Sequence, residues 1–296
     1  MLTWRYHLMT LVAIFLALGL GMLVGISLSD SGVVETGRAG LVDDIQRDLD
    51  SLRSRNSFLE RERAVNSRYQ DDSFPFIVGG HLQGQKVALV VSSDVSDSTL
   101  RDINSALNSA GGQVVSTTIL DPRFDTGAAV EKIRNDLKAD PTYAGLDEAS
   151  LTPVLGQQLA VAIGMGGGGA LLNTLQGTMV ESTSGSYDIP VNSVLLLNRA
   201  DDRQSPLYSD LEKHLLLNLG NLGVMPVGAE PADAPISEIP MFISIGVSSV
   251  DNIDTRIGQV SAVYVLGGEK GSFGVKTTAD LLIPILRETA PGAPSA

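Results

Sequence analysis

The stretch from Leu8 to Leu28 carries no charged side chain. As a helix rising about 1.5 Å per residue it reaches roughly 30 Å, the thickness of a bilayer's hydrocarbon core. Any fold for this chain must bury that segment or give it to lipid. Arg5 precedes the run, and Asp30 and Glu35 follow it. The positive-inside bias then puts residues 1–7 in the cytoplasm and everything after Asp30 outside, as a single-pass cell-membrane protein. Trp4 and Tyr6 stand where interfacial aromatics belong. The alternative is a cleaved signal peptide, with Ser27-Leu28-Ser29 as a poor cleavage site behind an apolar region longer than such peptides use. Within the run, Ala13, Ala17, Gly21 and Gly25 recur every fourth residue, a stripe of small side chains along which two helices can approach in lipid.

Residues 35–70 read as a stalk. With Val42 at a, the heptad places Ile45 at d, Leu49 at a, Leu52 at d, Asn56 at a and Leu59 at d, until Arg63 closes the seam. About three heptads is the lower limit for a coiled coil. In a parallel pair Asp48 at g would face Arg53 at e, and Arg55 would face Glu60, both opposite in sign. Such exposed pairs are worth under about 1 kcal/mol each, so they select partner and register more than they stabilise. Asn56 fits the same scheme, because a lone buried Asn favours two strands in register. A parallel homodimer is expected; a single amphipathic helix packed on the globular part is the alternative.

Residues 71–85 read as a polar linker whose Phe74-Pro75-Phe76-Ile77 packs on the edge of a domain covering residues 86–287. Short apolar runs there predict strands at Lys86–Ser92, Gln113–Leu120, Val191–Asn198, Val224–Ala229 and Gln259–Leu266. Helices are predicted at Asp97–Ala110, Ala128–Leu137, Leu151–Ile163 and Pro206–Leu219. The first of these has Ser96 or Asp97 as N-cap, Gly111-Gly112 as its stop, and Leu100, Ile103 and Leu107 on one face. The strands are continuously apolar instead of alternating, which belongs to a parallel sheet covered on both faces. The expected fold class is therefore α/β: a transmembrane helix, a short parallel coiled-coil stalk, and a doubly wound, mainly parallel sheet. Residues 288–296, Pro- and Ala-rich, are expected to be a disordered tail. A membrane β-barrel is disfavoured, since its strands would alternate and carry aromatic girdles, whereas aromatics are only 5% of this chain.

Composition narrows the chemistry. Among 296 residues there is no Cys and only 3 His, and the formal charge is −13. Thiolate metal sites, disulfides and Cys nucleophiles are excluded, and a general nucleic-acid binder is disfavoured. Gly164, Gly166 and Gly169 spell G-x-G-x-x-G, but Glu181 follows too soon to serve as a ribose carboxylate, so a glycine hinge between two helices is the better reading. No Walker lysine, G-x-S-x-G or H-E-x-x-H occurs, and an enzyme is not expected. The methionines Met165, Met179, Met225 and Met241 are scattered, unlike a soft copper(I) site. Ligands of open α/β sheets sit beyond the carboxyl ends of strands. Acids expected there are Asp94, Asp121, Asp201, Asp202, Glu230 and Glu269. Of the chain's acids, Asp94, Glu269, Asp251 and Asp254 are the candidates for a hard cation, with turn capping as the cheaper account of the last two.

The opening Met1-x-x-x-Arg5-x-His7, running into an Ala/Gly/Leu-rich span, is similar to that of the copper transporter family named for the mycobacterial copper transport protein B. A second match is Val250-Asp251-Asn252-Ile253-Asp254, three residues, then Gly258-Gln259-Val260. The order of anchor, heptads and α/β region resembles the family over nearly the whole chain. The resemblance implies an envelope protein of copper efflux or homeostasis, with copper as the implied ligand and an outer-membrane channel as the family's described form. The alternative function is a non-enzymatic dimeric scaffold or regulator of envelope assembly or division. Expected partners are a second copy of the chain, lipid through residues 8–28 and other envelope proteins.

Overall fold

The computed structural model describes residues 3–30, 33–138 and 140–284, with side chains described except at 3 and 28–43. The chain divides into two compact units, residues 1–69 and 70–296. The first unit holds helix α1 (Thr3–Asp30) and most of α2 (Val33–Val78). Within α1, Trp4–Ser27 is long and apolar enough to cross a membrane, with mean hydropathy 2.5 and none of that span buried. Helix α2 runs unbroken through Gly37 and Gly40. Of the heptad positions, Val42 has its side chain outside the described residues; Ile45, Leu49, Leu52, Asn56 and Leu59 are all exposed on α2. Arg53 donates to Asp50 of its own helix at 3.2 Å, an i, i+3 pair.

The second unit begins with the last turns of α2. The segment expected as a linker is helical to Val78, Pro75 included. Its apolar residues account for this: Phe74 and Val78, with Leu82 after them, are buried in the unit's core. Phe76, on the opposite side, is exposed. Pro75 is tolerated because it lies one turn from the helix end, where its carbonyl accepts from Gly79 N at 3.0 Å.

Seven strands follow: β1 (Lys86–Ser92), β2 (Gln113–Leu120), β3 (Val180–Gly185), β4 (Ser193–Leu197), β5 (Met225–Ala229), β6 (Ser248–Val250) and β7 (Ser272–Phe273). Their order in the sheet is β3-β2-β1-β4-β5-β6-β7. All neighbours are parallel except β2 and β3. The helices are α3 (Asp97–Ser109), α4 (Thr126–Asp136), α5 (Glu148–Gly164), α6 (Gly169–Leu175), α7 (Pro206–Asn221), α8 (Ile239–Ser244) and α9 (Arg256–Leu266).

Strand side chains alternate between two cores, as a pleated sheet requires. Ala88, Val90, Val194 and Leu196 pack with α4 to α8, while Val87, Leu89, Val91, Leu195 and Leu197 pack with α3, α9 and the end of α2. This is the double winding that the continuous apolar runs imply. The start of α3 is capped as expected, with Ser96 accepting from Thr99 N, and α5 opens on a capping box of Asp147 with Ser150. The glycine run joins α5 to α6, with Gly166 and Gly167 at positive φ. Gly164 closes a helix, not a strand, so the dinucleotide motif is absent.

One predicted strand is corrected. Gln259–Leu266 lies in α9, capped by Thr255, whose side chain accepts from Gly258 N. Every residue from Gly258 to Leu266 is buried, and a segment buried on all sides has no stripe by which its period can be read. The strands in this region are the shorter β6 and β7. The predicted tail, residues 288–296, lies outside the described residues.

Candidate functional site at the carboxyl edge of the sheet

Sheet order reverses at β1, which takes β2 on one side and β4 on the other, and a crevice opens beyond the carboxyl ends of such strands. A cavity of about 260 Å³ lies at this edge, lined by Asp94 after β1, Ser96 and Thr99 at the start of α3, Arg199 after β4, Pro231 and Asp233 after β5, and Asp254. It is smaller than the few hundred Å³ of a drug-sized pocket. Two of the four cation candidates, Asp94 and Asp254, thus share one cavity.

Both carboxylates already have partners. Arg123 donates through one nitrogen to both oxygens of Asp94 at 2.7 Å and stands 3.6 Å from Asp201. Asp201 also accepts from the Arg203 side chain and from Arg203 N at 2.8 Å. These bonds, the side-chain ones first, hold its carboxyl below the usual carboxylate range. Arg199 pairs with Asp233 at 3.1 Å, and Asp254 accepts from Ala232 N at 2.7 Å. The edge is a lattice of acid–arginine pairs.

Asp251 is fully buried and braces a loop. Its two oxygens accept from Val275 N at 2.7 Å and Lys276 N at 2.8 Å. A Cβ on Gly274 would lie 1.8 Å from Asp251 Oδ1, and φ there is +146°, so the brace works only with glycine. Glu269 is elsewhere: with α9 a helix, it falls at the amino edge of the sheet, beside a second cavity lined by Met225, Pro226 and Ser248 at strand starts. Among the described residues no group of three or more His, Cys, Asp and Glu side chains is placed to hold a metal ion. The structure does not bring the four candidates together.

Under this edge lies a polar cluster that the sequence did not reveal. Asn198 Nδ2 donates to Glu238 Oε2 at 2.7 Å, to Gln204 Oε1 at 3.0 Å and to Glu212 Oε2 at 3.2 Å. Glu238 Oε1 accepts from Ser209 at 2.8 Å and Gln204 at 3.0 Å. Glu212 is fully buried, and burial first, then the charge of Glu238, pushes its carboxyl well above the ordinary value. Burial likewise raises the Tyr208 phenol. Nearby, buried Glu230 accepts from Lys276 Nζ at 2.5 Å, Ser237 Oγ at 2.7 Å and Glu238 N at 2.8 Å. These acids and their partners span positions 198–276 with no fixed spacing, so no motif announces them.

The family model for "Copper transport outer membrane protein, MctB" matches residues 1–284. The chain belongs to the MctB family. Among its relatives are the proteins called Copper transporter MctB of Mycobacterium tuberculosis (strain ATCC 25618 / H37Rv) and of Mycobacterium bovis (strain ATCC BAA-935 / AF2122/97). Each is 21% identical over 307 residues, covering 93% of this chain and 96% of the relative. The family is named for copper transport, not for an enzyme activity. The second segment of the resemblance, Val250 to Val260, is closely packed and hydrogen-bonded in this MctB-family chain. Asp251 braces the loop after β7, the Asn252 carbonyl lies against Gly258, and Gln259 accepts from Arg256 Nη1 at 2.9 Å. Arg256 also reaches Asp71 at 2.7 Å and stacks over Phe74, 5.0 Å from the ring centre.

Proposed function

We propose that this MctB-family protein is a single-pass, membrane-anchored component of copper efflux or copper homeostasis in the cell envelope. Its amino terminus is cytoplasmic and its α/β unit lies outside the membrane. The observation that carries the reading is the family match over residues 1–284, joined to an apolar helix at Trp4–Ser27. Residues 8–28 meet lipid, and Ala13, Ala17, Gly21 and Gly25 form a face on which two anchors meet. The α/β unit acts by binding, without catalysis. Deleting the gene is expected to raise cell-associated copper and copper sensitivity; unchanged copper content in the deletion strain would refute the assignment.

A second reading, a dimeric scaffold for envelope assembly or division that contacts other envelope proteins, is favoured by the exposed apolar row Ile45, Leu49, Leu52 and Leu59 on α2. An apolar seam of this spacing is stabilised by a second copy of itself. Leu49→Pro removes a helix bond and clashes with the preceding turn, at about 3 kcal/mol or more. Full-length protein in detergent is expected to sediment as a dimer and the variant as a monomer, with thermal unfolding of the α/β unit unchanged. A wild-type monomer at high protein concentration would remove the stalk from this reading.

A further inference from the structure

We infer that Glu212 and Glu238 share a single proton, and that this proton latches the loops 198–205 and 230–238 onto α7. The two carboxylates converge on one Asn198 amide nitrogen, at 3.2 and 2.7 Å, in a site where Glu212 is wholly buried and Glu238 nearly so. Every other acid described above at this edge has a basic or backbone partner. Glu230 has Lys276, Asp201 has Arg203 and Arg123, Asp94 has Arg123, and Asp251 has two amides. No described Lys, Arg or His bonds to Glu212 or Glu238.

The donors are unequally divided. Glu238 takes three, from Asn198, Gln204 and Ser209. Glu212 takes one long one from Asn198, and its Oε1 closes no hydrogen bond, with the Tyr208 hydroxyl near the carboxyl. A buried carboxylate so poorly solvated binds a proton instead of keeping its charge. The proton therefore resides on Glu212.

The charged and titratable groups around the pair leave it no other counter-charge. From α7 itself comes Tyr208, buried, its hydroxyl lying against Glu212 and Ser92 without closing a hydrogen bond to either. From the 230–238 loop comes Glu230, satisfied by Lys276 and bonded to the Glu238 backbone. From the 198–205 loop come Arg199, paired with Asp233, and Asp201 and Arg203, paired with each other. On the α5 side of α7, Asp210 is engaged by Thr152 and His214.

The sign follows from linkage. Glu212 has a folded-state value raised above its unfolded one by burial and by Glu238. The stability the pair contributes is present on the acid side and lost as pH rises through the raised value. Ionising Glu212 sets two like charges in a dry site, and the least costly relief is to swing the 230–238 loop, with Asp233 and Pro231 of the edge cavity, away from α7.

Hydrogen exchange on the full chain in detergent tests this. After correction for intrinsic rates, opening of residues 199–206 and 230–238 is expected to accelerate at least about tenfold between about pH 6 and about pH 10. Glu212→Gln, which keeps the neutral shape, is expected to abolish the acceleration. Exchange that does not change with pH in the wild type, or accelerates equally in the variant, overturns the proposal. Should the variant not fold, infrared difference spectra of the wild type decide. A protonated buried carboxyl band at about pH 6 that fades in step with loop opening supports the latch, and the lack of such a band overturns it.

Discussion

Lys276→Met is expected to lower the stability of the full-length protein by about 3 kcal/mol. Glu230 is 1% exposed, and Lys276 Nζ lies 2.5 Å from its Oε1. Methionine keeps most of the stem and removes the charge, leaving a carboxylate inside the protein with only Ser237 Oγ and Glu238 N as donors. Stranding one member of a buried pair costs far more than the pair itself contributes. Thermal unfolding in detergent should show a midpoint lower by about 6–12 °C for a unit of this size. The companion Glu230→Gln/Lys276→Met removes the stranded charge and is expected to recover more than half of the loss. A midpoint for Lys276→Met within about 2 °C of wild type would show that the pair is not closed in solution.

Gly258→Ala should be nearly as costly. A Cβ there would lie 1.9 Å from the Asn252 carbonyl oxygen and 2.4 Å from its carbon. Both belong to the backbone of the turn that positions Asp251, so no rotamer change relieves the clash. Overpacking against immobile atoms is expected to cost about 3 kcal/mol, again read as a lowered midpoint. Gly220→Ala is the control. It lies near the end of α7 with nothing within 4 Å of the added carbon, and is expected to stabilise by about 0.4–1 kcal/mol through a stiffer unfolded chain. If both substitutions behave alike, the close approach at Gly258 is absent.

Much of this architecture is legible in the residues. VALVV in β1 and VLLL in β4 are uncharged and fill both cores, which forces a sheet covered on two faces. The bounds of β1 and β2 are readable because each is preceded by polar or glycine-rich turns. α9 is not readable, because a helix wrapped on all sides by core has lost its polar face. β3 is not either: Val180–Gly185 is largely polar and exposed, held by its pairing with β2 and not by burial. At the edge, strand order tells which acids stand at the carboxyl ends, and Asp94 falls there as expected. It says nothing of the Arg123 that occupies Asp94, or of a glutamate pair assembled from α7 and a loop. Long-range polar contacts leave no period along the chain, so only three-dimensional geometry reveals them.

The parallel seam between β1 and β4 has a consequence for assembly. Lys86 N bonds to Asn192 Oδ1 106 positions further along the chain, with α3, α4, α5 and α6 and two other strands in between. Closing a loop of that length is entropically slow, and rates fall as contacts become more distant in sequence. The middle of this protein is therefore finished late although its first strand emerges early. Until residue 197 is available, β1 has only β2 as a neighbour and its other edge waits open. A nascent chain is thus most exposed to misassociation at its future centre.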